Sequence, residues 1–359
     1  MRQVRCAVST RRRVAALVAM TLVVVVIVTV IVVGRGRSPA GLSRRLSTSG
    51  TGNSVTQHDA TTRSGGVVSR ATSPASISPT TVTTTQPWSV RQAALKFYDP
   101  TRTTPARGSS PAHSGRALRT TLRWPVSRDG RVAAGQLPLV VFAHGYNVSA
   151  ATYSVLLDNL ARAGIIVAAP EFPGESTAYP GPAVESDLVN EPCDMEFVAA
   201  SLEHNPPPQL SSALQHALEH APLIIAGHSD GATAAAFAAY ASTCSSVPIR
   251  AVVALSPDDV PMTGAFRFGR PPALLAVTGT ADEVNPLAHT LGLYQHVPGQ
   301  AWLVTIDGGS HLGTFTTDPD LARISATIAD FVFMTSDGDA SARTRLMHVA
   351  DGRVHLQYR

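Results

Sequence analysis

The stretch Ala221-Pro222-Leu223-Ile224-Ile225-Ala226-Gly227-His228-Ser229-Asp230-Gly231 decides the fold. A β-type apolar run ends in Gly-x-Ser-x-Gly, and an alanine-rich helical stretch, 232–241, follows at once. A strand that turns directly into a helix exposes the residue at the turn above the sheet edge, as a nucleophile elbow requires. Side chains beside that residue would collide in so tight a turn, which explains Gly227 and Gly231. The new helix aims its first amides and the positive end of its dipole at the same point. Ser229 is therefore the candidate nucleophile.

Working outward, residues 93–99 and 118–124 read as two early strands, each ended by a turn or proline signal. Residues 137–143 form a short buried strand, 152–163 an amphipathic helix closed by Gly164, and 165–169 another strand. Apolar residues at Met195, Val198, Ala199 and Leu202 give 187–202 helical spacing, and 210–220 continues helically. Residues 250–255, 273–278 and 302–306 are further strands, and 320–333 is a final helix. Alternating β and α after an antiparallel start predicts the α/β class: a mostly parallel sheet with helices on both faces. In such sheets functional sites collect at the carboxyl ends of the strands.

A hydroxyl nucleophile needs a base, and the base needs a carboxylate to orient it. His311 sits in Ile306-Asp307-Gly308-Gly309-Ser310-His311, a glycine-rich loop after the last strand of the parallel run. The other histidines lack that position: His289 and His296 fall in a helical stretch, His348 and His355 in the tail. His228 reads as structural. Asp282, in the turn after the penultimate strand, is the preferred acid. Asp258 (or Asp259), after the strand before it, is the alternative. Backbone amides of Asp230 and Tyr146 are the candidate oxyanion donors, Tyr146 lying in Phe142-Ala143-His144-Gly145-Tyr146-Asn147 behind an early strand.

His144-Gly145-Tyr146, Gly227-His228-Ser229-Asp230-Gly231, Gly279-Thr280-Ala281-Asp282 and Gly308-Gly309-Ser310-His311 together resemble the α/β-hydrolase superfamily over residues 90–333. Bacterial lipases, cutinase-like polyester hydrolases, and the dienelactone-hydrolase and platelet-activating-factor-acetylhydrolase-like groups are similar. Dienelactone hydrolases proper use a cysteine nucleophile, and cutinase-like enzymes commonly carry an apolar residue where Asp230 stands. The resemblance implies an esterase or lipase that forms an acyl-enzyme on a small-molecule or lipid ester, without metal or cofactor. A peptidase or acyltransferase on the same scaffold, or a non-catalytic binding domain, are the rival readings. Only residues 257–271 separate two strands where a cap would insert, so no large cap domain is expected. The Gly- and Pro-rich insertion 171–191 forms one rim, and Met262, Phe266 and Phe268 are candidates for another apolar wall.

The chain has 359 residues and a formal charge of +4. Nine arginines lie before residue 46, where there is no Asp or Glu; removing them from the 29 Lys and Arg leaves 20 against 25 acidic residues, a net of −5. The body thus offers no electrostatic footprint for nucleic acid. Residues 1–13 read as a basic cytoplasmic tail. Residues 14–33 are uncharged and apolar, long enough at about 1.5 Å per residue to cross about 30 Å of hydrocarbon. They read as a transmembrane signal anchor in preference to a cleaved signal peptide, which would make the catalytic domain extracytoplasmic, membrane-held or secreted. Residues 34–87 read as a disordered Ser/Thr/Pro-rich linker, 88–334 as the catalytic domain, and 335–359 as an extension with a hairpin signal at Asp351-Gly352. Cys193 and Cys244 are expected at opposite edges of the sheet as separate packed thiols.

Overall fold

The structure is a computed structural model that describes residues 88–359, apart from 242, 243, 245, 246, 260–270 and 318. Nine strands form one sheet in the order β1-β2-β4-β3-β5-β6-β7-β8-β9. β1 (Ser89–Thr104) and β2 (His113–Val126) are antiparallel, and β2 joins β4 (Ile166–Glu171) antiparallel. From β4 through β3 (Leu139–Ala143), β5 (Leu223–His228), β6 (Ile249–Leu255), β7 (Ala273–Gly279) and β8 (Ala301–Ile306) every pairing is parallel. This is the α/β-hydrolase architecture, a mostly parallel open sheet with helices on both faces.

The parallel strands are mostly apolar because both of their faces are covered. Side chains alternate across a strand, so Leu139, Val141 and Ala143 of β3 enter one core while Val140 and Phe142 enter the other. On the first face lie α2 (Glu191–His204), α3 (Ser212–Glu219) and α4 (Asp230–Tyr240), supplying Met195, Val198, Leu214, Leu218 and the alanines of α4. The second face is covered by α1 (Ser154–Ala163) and α7 (Leu321–Asp337), through Leu156, Leu157, Leu160, Ile324, Ile328 and Phe331. Helix α5 (Leu287–His296) follows β7, and the short α6 (Gly313–Thr316) follows the His311 loop.

Beneath the 172–190 segment lies a buried ion cluster. Arg116 of β2 is fully buried and donates to both oxygens of Asp194 at 2.8 and 2.6 Å, and to both oxygens of Asp187 at 3.0 and 2.8 Å. Arg102 reaches Asp194 from the side at 2.6 Å. Bidentate guanidinium pairing is the geometry that tolerates such burial. It ties the insertion and the start of α2 to the antiparallel edge of the sheet.

Three expectations are corrected. Residues 335–359 do not form an appended hairpin. Helix α8 (Ala340–Met347) starts on Asp339, whose carboxylate accepts the N–H groups of Ser341 and Ala342 at 2.8 and 3.1 Å. One strand, β9 (Val354–Tyr358), then pairs antiparallel with β8 from Ile306↔Val354 to Trp302↔Tyr358. The edge of β8 offers a full row of backbone partners, and a single strand satisfies it.

The two cysteines are not separate thiols. Cys193, in the first turn of α2, is joined to Cys244 in a disulfide with a Cα–Cα distance of 5.4 Å. The expectation placed Cys244 on the end of a helix, but α4 stops at Tyr240. Cys244 therefore lies beyond the helix, and α4 itself packs against α2.

The transmembrane reading is likewise not sustained: among the described residues, no helix is long and apolar enough to cross a membrane. The tail, anchor and linker expected over 1–87 lie outside the described residues. So do Met262, Phe266 and Phe268, expected as an apolar wall.

Candidate active site

Ser229 occupies the turn between β5 and α4 with φ 56° and ψ −125°. A non-glycine residue there is strained by about 1–3 kcal/mol and persists only when its surroundings over-determine it. They do: its N–H donates to Leu255 O at 2.9 Å, and its carbonyl accepts from Ala232 and Thr233 at 2.9 and 3.1 Å. The flanking glycines are steric requirements. A Cβ on Gly227 would lie 2.2 Å from Gly231 O, and one on Gly231 would lie 2.4 Å from the carbonyl oxygens of Ala143 and His144.

The loops after β5, β7 and β8 bring three of the predicted residues together. His311 Nε2 lies 3.0 Å from Ser229 Oγ, and His311 Nδ1 lies 2.9 and 3.0 Å from the two carboxylate oxygens of Asp282. The Asp282 side chain is fully buried. Burial alone would raise its pKa, but hydrogen bonds from His311, the Asn285 N–H and the Ser256 hydroxyl hold it below the ordinary carboxylate value. Its Oδ1 accepts the N–H groups of Val284 and Asn285 at 3.0 and 2.7 Å. Glu283 accepts the His311 N–H at 3.1 Å, so His311 is held by side chain and backbone alike.

Asp258, the alternative acid, lies elsewhere. Its carboxylate faces His289 at 3.3 Å, and its N–H donates to Thr233 Oγ1 at 3.1 Å. The acid beside His311 is Asp282.

The residues around Tyr146 close against Ser229. A Cβ on Gly145 would stand 3.1 Å from Ser229 Cβ, so the backbone passes directly over the serine. His144 is fully buried, and burial lowers its pKa to about 4, leaving it neutral. Its Nε2 accepts the Phe172 N–H at 3.2 Å while Nδ1 meets Gly145 O at 2.8 Å, which fixes the tautomer with the proton on Nδ1. Tyr146 is half-buried, and its hydroxyl donates to Ala183 O at 3.3 Å on the predicted rim. Asp230 is the first residue of α4.

Sequence reasoning missed several neighbours. Asn285 Nδ2 lies 3.5 Å from Ser229 Oγ and donates to Ser256 O at 2.9 Å. Its only sequence signal is its place three residues after Asp282 in the same turn. Glu175 and Glu191 are fully buried, Glu175 in the 172–190 segment and Glu191 at the head of α2. Burial, reinforced by Asp230 and other nearby carboxylates, raises Glu175 to about 9, and burial together with Glu175 and Asp230 raises Glu191 well above its ordinary value. Separated by a Gly- and Pro-rich stretch, the two give no sequence pattern.

The arrangement can polarise a serine hydroxyl, since imidazole and carboxylate are in line behind Oγ. A model of the chlorophyllase family matches residues 130–281. That segment contains Tyr146, Ser229 and Asp230 and stops one residue short of Asp282; His311 lies beyond it. Chlorophyllases form a lipase-like α/β-hydrolase family, so the match agrees with the fold and points to ester hydrolysis. It covers less than half of the chain and names none of the narrower groups that the motifs resemble. No curated protein matches the chain.

Proposed function

We propose that this chain is a serine hydrolase of carboxylic esters that works through an acyl-enzyme. The observation that carries the reading is the hydrogen-bonded series Ser229 Oγ, His311 Nε2, His311 Nδ1, Asp282. His311 takes the hydroxyl proton as Ser229 Oγ attacks the ester carbonyl. Asp282 keeps the proton-bearing Nδ1 turned inward and stabilises the imidazolium. The carbonyl oxygen becomes an oxyanion, for which the Tyr146 and Asp230 amides are the donors, the latter at the positive end of α4. His311 then protonates the departing alkoxide, and the alcohol leaves. Water, deprotonated by the same imidazole, cleaves the acyl-enzyme and releases the acid. These residues and water close every step.

The substrate class is a small-molecule or lipid ester. The Asp230 carboxyl beside the nucleophile disfavours a substrate with an anionic group close to its carbonyl. The Cys193–Cys244 disulfide supports work in an oxidising, extracytoplasmic compartment. A screen of p-nitrophenyl esters of graded chain length tests the reading: wild-type enzyme hydrolyses them and Ser229→Ala does not. Full activity in Ser229→Ala would remove it. Preferential transfer of the acyl group to added amines or alcohols would instead favour an acyltransferase.

A further inference from the structure

Helix α3 ends in His216-Ala217-Leu218-Glu219 and is followed at once by His220, and the side chains of His216, Glu219 and His220 are exposed. Residues four and three apart on a helix share one face. One ligand atom from each of His216, Glu219 and His220 lies within 4.8 Å of the others. His216 Nδ1 stands 3.6 Å from Glu219 Oε2, and the two imidazole rings are 5.2 Å apart, edge to face.

We propose that His216, Glu219 and His220 form a surface site for a divalent transition cation of the zinc type. Two imidazoles and a carboxylate are the donors that zinc takes from proteins, and three protein ligands leave the fourth tetrahedral position to water. The two histidines, four apart at the end of a helix, have the spacing by which zinc-binding helices present two imidazoles to one ion, and the proximity of Glu219 supplies the third donor. The site also lies at a helix C-terminus, where the unpaired carbonyls of the last turn favour a positive charge. The ligand-bearing turn is held at both ends. Ser211 Oγ caps the start of α3 by accepting the Leu214 N–H, and Gln136 Nε2 donates to His220 O at 3.0 Å.

The site is remote from the reaction. His220 leads into the amino end of β5, whereas Ser229 follows its carboxyl end. Six residues of strand separate the two by about 20 Å. The cation would brace the α3–β5 connection and leave ester hydrolysis unchanged.

The test is a zinc titration of the full chain at neutral pH against a chromophoric chelator, comparing wild type with His216→Ala/His220→Ala. The three side chains are exposed, so the variant keeps the fold, and circular dichroism checks it. The site predicts one zinc equivalent in wild type that the variant loses or binds at least tenfold more weakly. It also predicts a zinc-dependent rise in Tm in wild type that is absent from the variant, with equal esterase rates. Equal zinc binding by the two proteins, or none by wild type, would overturn the proposal.

Discussion

His228 Nε2 lies 2.9 Å from the backbone oxygen of His311, so the residue that precedes Ser229 holds the loop that carries His311. The carbonyl can only accept, which places the proton of His228 on Nε2 and leaves Nδ1 to accept the Tyr153 hydroxyl at 2.8 Å. Tyr153 Oη in turn accepts the Gly145 N–H at 3.2 Å. Burial, followed by the charge of His311, holds His228 well below its ordinary pKa, so it stays neutral. A single buried relay thus joins the Gly145–Tyr146 turn to the His311 loop behind Ser229.

Tyr153→Phe breaks that relay while keeping the ring. It leaves the Gly145 N–H and His228 Nδ1 buried without this partner, a loss of about 1–3 kcal/mol. We expect that loss in urea unfolding, together with a roughly tenfold fall in kcat at nearly constant KM, because positioning rather than binding is disturbed. An unchanged kcat would show that the relay has no part in catalysis.

Asp282→Asn should lower kcat by about 10⁴-fold, since an amide favours the wrong tautomer of the imidazole. Asp258→Asn should leave kcat within a few-fold, because its carboxylate faces His289. Steady-state kinetics on the pair decides between the acids, and the reverse order would move the role to Asp258.

Glu175 and Glu191 give stability a pH dependence whose sign is fixed. Glu175 titrates at about 9 in the folded protein, against about 4.3 in an unfolded chain. The folded state therefore holds more protons across that interval. The associated stability is fully present below about 4.3 and is lost as pH rises through about 9. Because the two carboxyls interact, they titrate as a pair. Urea unfolding at pH 5, 7 and 9 should fall less steeply for Glu175→Gln than for wild type. Parallel slopes would contradict a buried proton at this position.

Arg116→Met removes the shared partner of Asp187 and Asp194 and leaves two buried carboxylates. Breaking such a cluster from one side costs about 3–5 kcal/mol, read as a lower denaturation midpoint. A change under about 1 kcal/mol would mean that the cluster is not the anchor of the insertion.

Much of the fold was legible because buried parallel strands read as apolar runs, Leu223–Ala226 of β5 and Ala251–Leu255 of β6 being the clearest. Ser229 and His311 stood out by position, each just after such a run. Asp282 was preferred over Asp258 on its place after the penultimate strand, but both follow strands, and only the three-dimensional arrangement shows that Asp282 is the carboxylate that meets His311. Glu175 and Glu191 were invisible for another reason: a glutamate in a Gly- and Pro-rich segment reads as exposed, and only tertiary packing buries it. The C-terminal turn signal at Asp351-Gly352 was followed, but the partner of its strand is β8, fifty residues earlier, beyond local reading. The cysteine pairing failed because the expectation extended α4 past its true end.

The most direct measurement is fluorophosphonate labelling of the full chain, with the adduct mapped by mass spectrometry. An activated serine predicts one adduct, on Ser229, lost in Ser229→Ala and nearly lost in His311→Ala. A folded protein that takes no label, or that labels equally without His311, would contradict the account.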